Sequence, residues 1–296
     1  MQQALRPMPW AVVLGYFAVF LLLDWASFIR PLQHLNITPW NPQPALAVGL
    51  LLANRRLWWA VWASLLAAEV LVRGFPGNWL IDLAVASALT GSYLFVATLV
   101  KRILQGEWRI ASPRMAAWLI GAIALGALLS GIVYVGVFAA AGLVVERPLP
   151  EALARYWVGE MVGMVVALPL VLAAMDRQKR EDLLKTLADR RWWMIAATVG
   201  LLLLALWRAG PALGMDFSYL LLLPMVWGAT QFGSAGALLT AAVTQVGLIV
   251  TVQAGAPMAD LLSLLDSKNQ QFAFDPMDTS VLLGTPRGAG TVGRSE

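Results

Sequence analysis

The chain is predicted to fold as an all-α, polytopic transmembrane helical bundle of about 8–10 spans, and three observations carry that prediction. Runs of roughly 18–20 uncharged residues, the length an α-helix needs to cross the ~30 Å hydrocarbon core, begin near Pro9 and recur as far as Ala254. Of the 296 residues, 59% are hydrophobic and only 13% charged, with a mean hydropathy of +0.71. A soluble domain of this length has no interior large enough to hide that much apolar surface. Stretches such as 201–207 are apolar on every face, whereas the strands of a membrane β-barrel alternate outward and inward.

Spans are expected near 9–29, 40–54, 57–73, 79–100, 115–143, 154–175, 192–208, 218–231 and 234–254. The first follows a single Arg6 and runs through Leu21-Leu22-Leu23-Asp24-Trp25 without a small-residue cleavage site, so it reads as an uncleaved helix. The second opens Thr38-Pro39-Trp40-Asn41-Pro42-Gln43-Pro44, with three prolines in six residues. Proline removes a backbone donor and cannot continue a regular helix. Non-helical backbone at membrane depth persists only where protein or a wet cavity satisfies it. These residues therefore read as an extended entry into a short helix, with freed carbonyls, Asn41 and Gln43 lining a periplasm-facing pocket. The competing reading is a Pro-rich loop lying wholly among the headgroups.

Later spans are bounded by charge and indoles. Arg55-Arg56-Leu57-Trp58-Trp59 and Arg190-Arg191-Trp192-Trp193 set basic heads beside paired Trp residues, an arrangement suited to the headgroup layer. Small-residue stripes at Ala84, Ala88 and Ser92, and at Gly126 and Ser130, suit helix packing. Residues 176–191 alternate charges around Leu183, Leu184 and Leu187, which reads as a short amphipathic helix on the inner leaflet or against an output module. From Asp266 on, the chain is polar and punctuated by Gly and Pro, and it is expected to be a disordered tail.

Loop charge sets the expected orientation. Thirteen Lys and Arg fall on the side that holds the N-terminus, five on the other side and three in the tail. This bias predicts a cytoplasmic N-terminus, and nine spans would then leave the C-terminus outside. The net charge of +4 is read as topology rather than as affinity for nucleic acid. With no cysteine and a single histidine, His34, thiolate or imidazole metal sites, cofactor attachment and a cysteine nucleophile are not expected. No phosphate-binding, hydrolase or dinucleotide motif is present, so the chain is expected to be non-enzymatic.

Ionisable groups inside spans are costly and suggest function. Asp24 and Asp82 lie near span ends and are expected to reach interfacial water. Glu69 precedes Arg73 by four residues, the spacing of a helix ion pair. Glu160 stands in Tyr156-Trp157-Val158-Gly159-Glu160-Met161-Val162-Gly163, where Gly159 and Gly163 form a G-x-x-x-G face for close helix packing. An acid beside such a face should point into the bundle. The candidate ligand-binding or gating residues are therefore Trp40, Asn41, Pro42, Gln43, Glu69, Arg73, Trp157 and Glu160, with Gly159 and Gly163 as packing residues.

Three stretches resemble the first class of bacterial membrane-associated sensor domains (MASE type 1). Pro39-Trp40-Asn41-Pro42-Gln43-Pro44-Ala45-Leu46-Ala47 followed by Gly49-Leu50-Leu51 is similar to the Trp/Pro-rich start of that family's second span. Glu69-Val70-Leu71-Val72-Arg73-Gly74 resembles its acidic residue followed by Arg-Gly. The Glu160 segment, ending Ala167-Leu168-Pro169-Leu170, is similar to its W-x-G-D-x-x-G…P-L signature, with Glu where Asp is commoner. Leu223-Pro224 and Gln231-Phe232-Gly233 also fit. The resemblance covers about residues 10–265. It implies a signal-input module of the bacterial inner membrane, of the kind joined to histidine kinases or cyclic-di-GMP enzymes. It further implies homodimerisation and a small-molecule or membrane-soluble signal. The family's closing span and output domain are replaced here by residues 266–296, so the module is expected to lack its own output. A small inner-membrane permease is the alternative from the same buried acids and broken helix.

Overall fold

In the structure, a computed structural model, residues 10–27, 40–72, 78–105, 108, 110–142, 148–213 and 218–267 are described, with side chains except at 207, 209–213, 218 and 249–267. Among these residues there are nine α-helices and no strand. They are α1 (Trp10–Ser27), α2 (Gln43–Ala53), α3 (Trp58–Leu71), α4 (Trp79–Leu104), α5 (Pro113–Ala140), α6 (Leu149–Met175), α7 (Arg177–Ala188), α8 (Arg190–Leu213) and α9 (Leu222–Ser267). Four of them, α1, α4, α5 and α6, are long and apolar enough to cross a membrane. The fold is the expected all-α membrane bundle. Each expected span falls on a helix or, for the last two, on an arm of α9, and α7 covers the expected amphipathic segment. The tail beyond Ser267 lies outside the described residues.

Local signals account for the helix ends. Asn78 caps α4 by accepting from the Leu80 and Ile81 N–H groups at 3.0 and 3.1 Å. Ser112 caps α5 through Met115 N–H at 3.1 Å, and Asp176 caps α7 through Lys179 N–H at 2.9 Å. Each side chain satisfies donors that the first helical turn leaves unpaired. At the α7–α8 corner Asp189 accepts from Arg191 N–H at 2.8 Å. Hydrogen bonding from the Arg191 guanidinium holds the Asp189 carboxyl below the usual carboxylate range.

Helices α1 to α6 share one apolar core, which includes Phe20, Val48, Val61, Ile123, Phe138 and Leu168. The remaining helices attach to it through smaller clusters. Ala173 of α6, Leu183 of α7 and Ala235 of α9 form one, and Val199 and Leu203 of α8 pack with Leu221, just before α9, and with Val243 of α9. Trp10, Trp25, Trp79 and Trp118 turn outward, as indoles of a lipid-facing surface do. Trp58 and Trp59 are likewise exposed, but of the second Trp pair only Trp193 is. Trp192 is 3% exposed, packed edge-on against Trp193.

Helix α9 is a hairpin. Gly233 interrupts it at φ 60°, ψ −140°, a conformation open to glycine and strained for residues with a Cβ. Beyond the break the chain folds back on itself. A Cβ on Gly236 would overlap the Gly228 carbonyl, and one on Gly228 would overlap the Thr240 hydroxyl. Lys179 Nζ of α7 donates to Ser234 Oγ at 3.0 Å, and the Arg191 guanidinium of α8 lies 5.5 Å above the Phe232 ring. The hairpin turn is thereby tied to both neighbouring helices. Gly233→Ala is expected to destabilise the chain by about 1–3 kcal/mol. Gly136→Ala, a helical position with open space around it, is expected to be neutral or stabilising. Reversible unfolding in mixed micelles measures both.

Candidate functional site: a polar hollow at a broken crossing

The site begins with a helix too short to cross. Helix α2 has 11 residues, about 16 Å of rise, or roughly half of the hydrocarbon thickness. Residues 40–42 before it are not helical. The Asn41 N–H donates to the Gly159 carbonyl at 3.1 Å. Gly159 lies about 15 Å along α6 from Leu149 at 1.5 Å per residue. This non-helical stretch is thus seated about midway down a helix long enough to span.

Glycine makes this contact possible. A Cβ on Gly163, one turn past Gly159, would overlap the Asn41 carbonyl, and even the Asn41 nitrogen would lie at 2.9 Å. The Gly159-x-x-x-Gly163 face was expected to admit another helix. Its nearest partner is instead the peptide of Asn41, which has no helical side-chain ridge and comes closer than a helix does. Gly49 continues the contact along α2, where Val171 and Met175 of α6 close over it. Two motifs 120 residues apart in the chain are therefore two halves of one joint.

Proline shapes the start of α2. Pro42 occupies the N-cap with Pro44 just inside the helix, where a missing N–H costs no intrahelical bond. The Pro42 carbonyl accepts from Ala45 N–H at 3.0 Å. The positive end of the helix dipole then opens beside α1, where Asp24 Oδ1 accepts from Gln43 Nε2 at 2.6 Å. Asp24 and Asp82 were expected to reach interfacial water. Both are 2% exposed instead, because α1 and α4 turn these faces toward the core and not toward the membrane surface.

Between these elements lies a cavity of about 20 Å³, with Asp24, Asn41, Gln43, Tyr93, Tyr134 and Tyr156 on its wall. That is room for about one water molecule. Tyr134 and Tyr156 stack with centroids 4.9 Å apart at 27°, closing one side. Glu160, one turn along α6 from Tyr156, is 1% exposed. Its carboxyl faces the hydroxyls of Ser130 and Tyr156, yet neither oxygen closes a hydrogen bond of full geometry. A buried carboxyl with open acceptor positions can bind an incoming donor at little further desolvation cost.

The other candidates take separate places. Trp40 is buried at the joint. Glu69 is buried on α3, one turn from Leu65 of the cavity wall. Trp157 turns away to α5, where its Nε1 donates to the Ala124 carbonyl at 2.9 Å. Arg73 and His34 lie outside the described residues, and with Arg73 goes the expected ion pair to Glu69. Asp24, Tyr93, Tyr134 and Tyr156 were not among the candidates. One signal could have found the tyrosines: the chain holds five Tyr against 14 Trp, and Tyr16, Tyr93, Tyr134 and Tyr156 are all buried. Tyrosine here is an interior residue, whereas most outward aromatic positions are Trp.

A polytopic helical membrane protein with carboxyl groups enclosed at a broken crossing is the class that this geometry defines. A family model, MASE1, matches residues 10–267, and the chain belongs to that family of membrane-associated sensor domains of signalling proteins. Comparison with curated proteins and with solved structures found no match.

Gly163→Ala is expected to push the Asn41 peptide off α6 and to speed exchange of the Asn41 amide hydrogen at least about tenfold. Gly91→Ala, where a Cβ meets open space, is expected to leave that exchange unchanged. Hydrogen–deuterium exchange on peptides covering 40–45 reads both.

Proposed function

We propose that the chain is the signal-input module of a bacterial signalling protein of the histidine kinase or cyclic-di-GMP enzyme type, and that it has no catalytic role itself. It would sit in the inner membrane as a homodimer with its N-terminus in the cytoplasm. Its signal would be a small molecule from the periplasm or the membrane, bound where the Asn41–Gly159 joint meets Asp24, Gln43 and Glu160. That joint is the observation that carries the reading.

The volume of the hollow sets the mechanism. Pockets that hold small organic ligands measure about 300–1,000 Å³, and this hollow has about 20 Å³. A ligand larger than water enters only if residues 40–42 part from α6. Occupancy and opening of the joint are then one event, and the ligand shifts the equilibrium by its preference for the open arrangement. Helix α6 ends at Asp176, whose extended backbone turns the chain into α7, and the cluster of Ala173, Leu183 and Ala235 couples both helices to the α9 hairpin. A tilt of α6 at Gly159 is thus transmitted to the charged face of α7. A permease would call for a matching broken crossing in the second half. The described break there, Gly233, lies in a hairpin turn and not in mid-crossing, so the sensor reading stands ahead.

The test is a thermal-shift screen of small organic acids, amines and quinones on the full chain in lipid nanodiscs. A true signal raises the melting temperature and speeds Asn41 amide exchange together. Asp24→Asn and Glu160→Gln are each expected to weaken its binding at least about tenfold, the size of one lost hydrogen bond. Ligands that stabilise the chain equally in wild type and both variants would contradict the site. Solute uptake into proteoliposomes, blocked by Glu160→Gln, would favour the permease.

A further inference from the structure

We propose a second ligand site at the opposite end of the six-helix body, a basic pocket between α2 and α4 that takes the phosphate headgroup of an anionic phospholipid. The pocket measures about 290 Å³, more than tenfold larger than the polar hollow. Its wall has two chemistries. Arg55, Arg56 and Lys101 supply three positive charges, with Asn54 and Thr98 as neutral polar neighbours. Leu51, Leu52, Leu94 and Ala97 supply an apolar floor. No carboxylate lines it. Among the described residues none of the three basic side chains has an acidic partner.

The local fold explains why the charges converge. Asn54 leaves α2 in an extended conformation, φ −153°, ψ 101°. Its side chain accepts from Arg56 N–H at 3.0 Å and starts the short turn Arg55–Leu57. Both arginines are thereby held at the end of a helix that stops short. Lys101 approaches from the last turn of α4. The C-terminal ends of α2 and α4 contribute partial negative charge, about half a unit each. Three full positive charges exceed that and leave a net attraction for an anion. Trp58 and Trp59 are exposed immediately after the turn, which sets the pocket mouth at headgroup depth.

Ordinary charge bias at loop ends gives scattered, solvated Lys and Arg. Here the cations surround a concave, apolar-floored space, and that combination suits a phosphodiester carrying an acyl glycerol rather than a bare oxyanion. Phosphate recognition by the arginine forks is the chemistry shared by a lipid and by free phosphate.

The experiment is native mass spectrometry of the full chain in detergent, incubated with equal amounts of phosphatidylglycerol and phosphatidylcholine. Wild type is expected to retain phosphatidylglycerol over phosphatidylcholine by at least about tenfold. The variant R55Q/R56Q/K101Q is expected to lose that preference to within about twofold. R102Q/R114Q/R180Q removes the same charge from exposed positions outside the pocket and is expected to keep it. Should the triple pocket variant fail to fold, Lys101→Gln alone is expected to cut the preference about threefold. Equal retention of the two lipids by wild type, or equal loss in the two triple variants, overturns the proposal. Inorganic phosphate that stabilises wild type and not the pocket variant, without any lipid preference, overturns the lipid and assigns the pocket to free phosphate.

Discussion

An unpaired peptide in hydrocarbon costs several kcal/mol, and the interior of this protein is arranged around one peptide that would otherwise be unpaired. Asn41 lies at mid-crossing depth without helical neighbours to satisfy its backbone. The carbonyl of Gly159 takes its N–H at 3.1 Å, and the bare surface of Gly163 lets the two chains meet. Once that joint is made, α2 need only complete the second half of the crossing, and 11 residues suffice. The dipole of α2 then starts in the middle of the body, beside the Asp24–Gln43 pair. Burial of Tyr93, Tyr134 and Tyr156 suits the same geometry, because a non-helical entry leaves a gap between helices that flat rings with polar tips can fill.

Under the proposed reading the joint, made by the Asn41–Gly159 hydrogen bond and the close packing at Gly163, would open while the six-helix core stays folded. Phe20, Ile123 and Phe138 belong to the apolar core that α1 to α6 share. The polar hollow, about 20 Å³, is too small for an organic ligand, so the proposed sensing role would require the joint to part. The other end of α2 is held by different contacts, Gly49 against Val171 and Met175, and it borders the basic pocket. One short helix thus connects two chemically distinct ends of the body.

The positions of the spans were legible because lipid demands long apolar runs, and interruptions such as Asn54-Arg55-Arg56 and Gln231-Phe232-Gly233 stand out against them. The broken entry to α2 was legible for a related reason, since prolines report missing donors directly. Rotation of each helix was not legible. In a soluble bundle the polar face marks the outside, but helices that are apolar all round lose that contrast. Asp24 was therefore assigned to the water interface, although Tyr16, Phe20 and Asp24 recur every four residues and share one buried face. The pairing of Asp24 with Gln43 joins residues from two helices, and no periodicity within either one encodes it. The glycine face of α6 was visible as a close-approach site, but the identity of its partner depended on tertiary structure.

Solid-state NMR in bilayers addresses the joint most directly, with ¹⁵N on asparagine and ¹³C on the glycine carbonyls. Dipolar dephasing of the Asn41 nitrogen by the Gly159 carbonyl carbon reports their separation in lipid. Dephasing in wild type beyond that of Asn41→Gln, at a strength matching hydrogen-bond distance, is the outcome this account requires. Equal dephasing in the two proteins, with the Asn41 amide exchanging freely with water, would place the segment among the headgroups and contradict it.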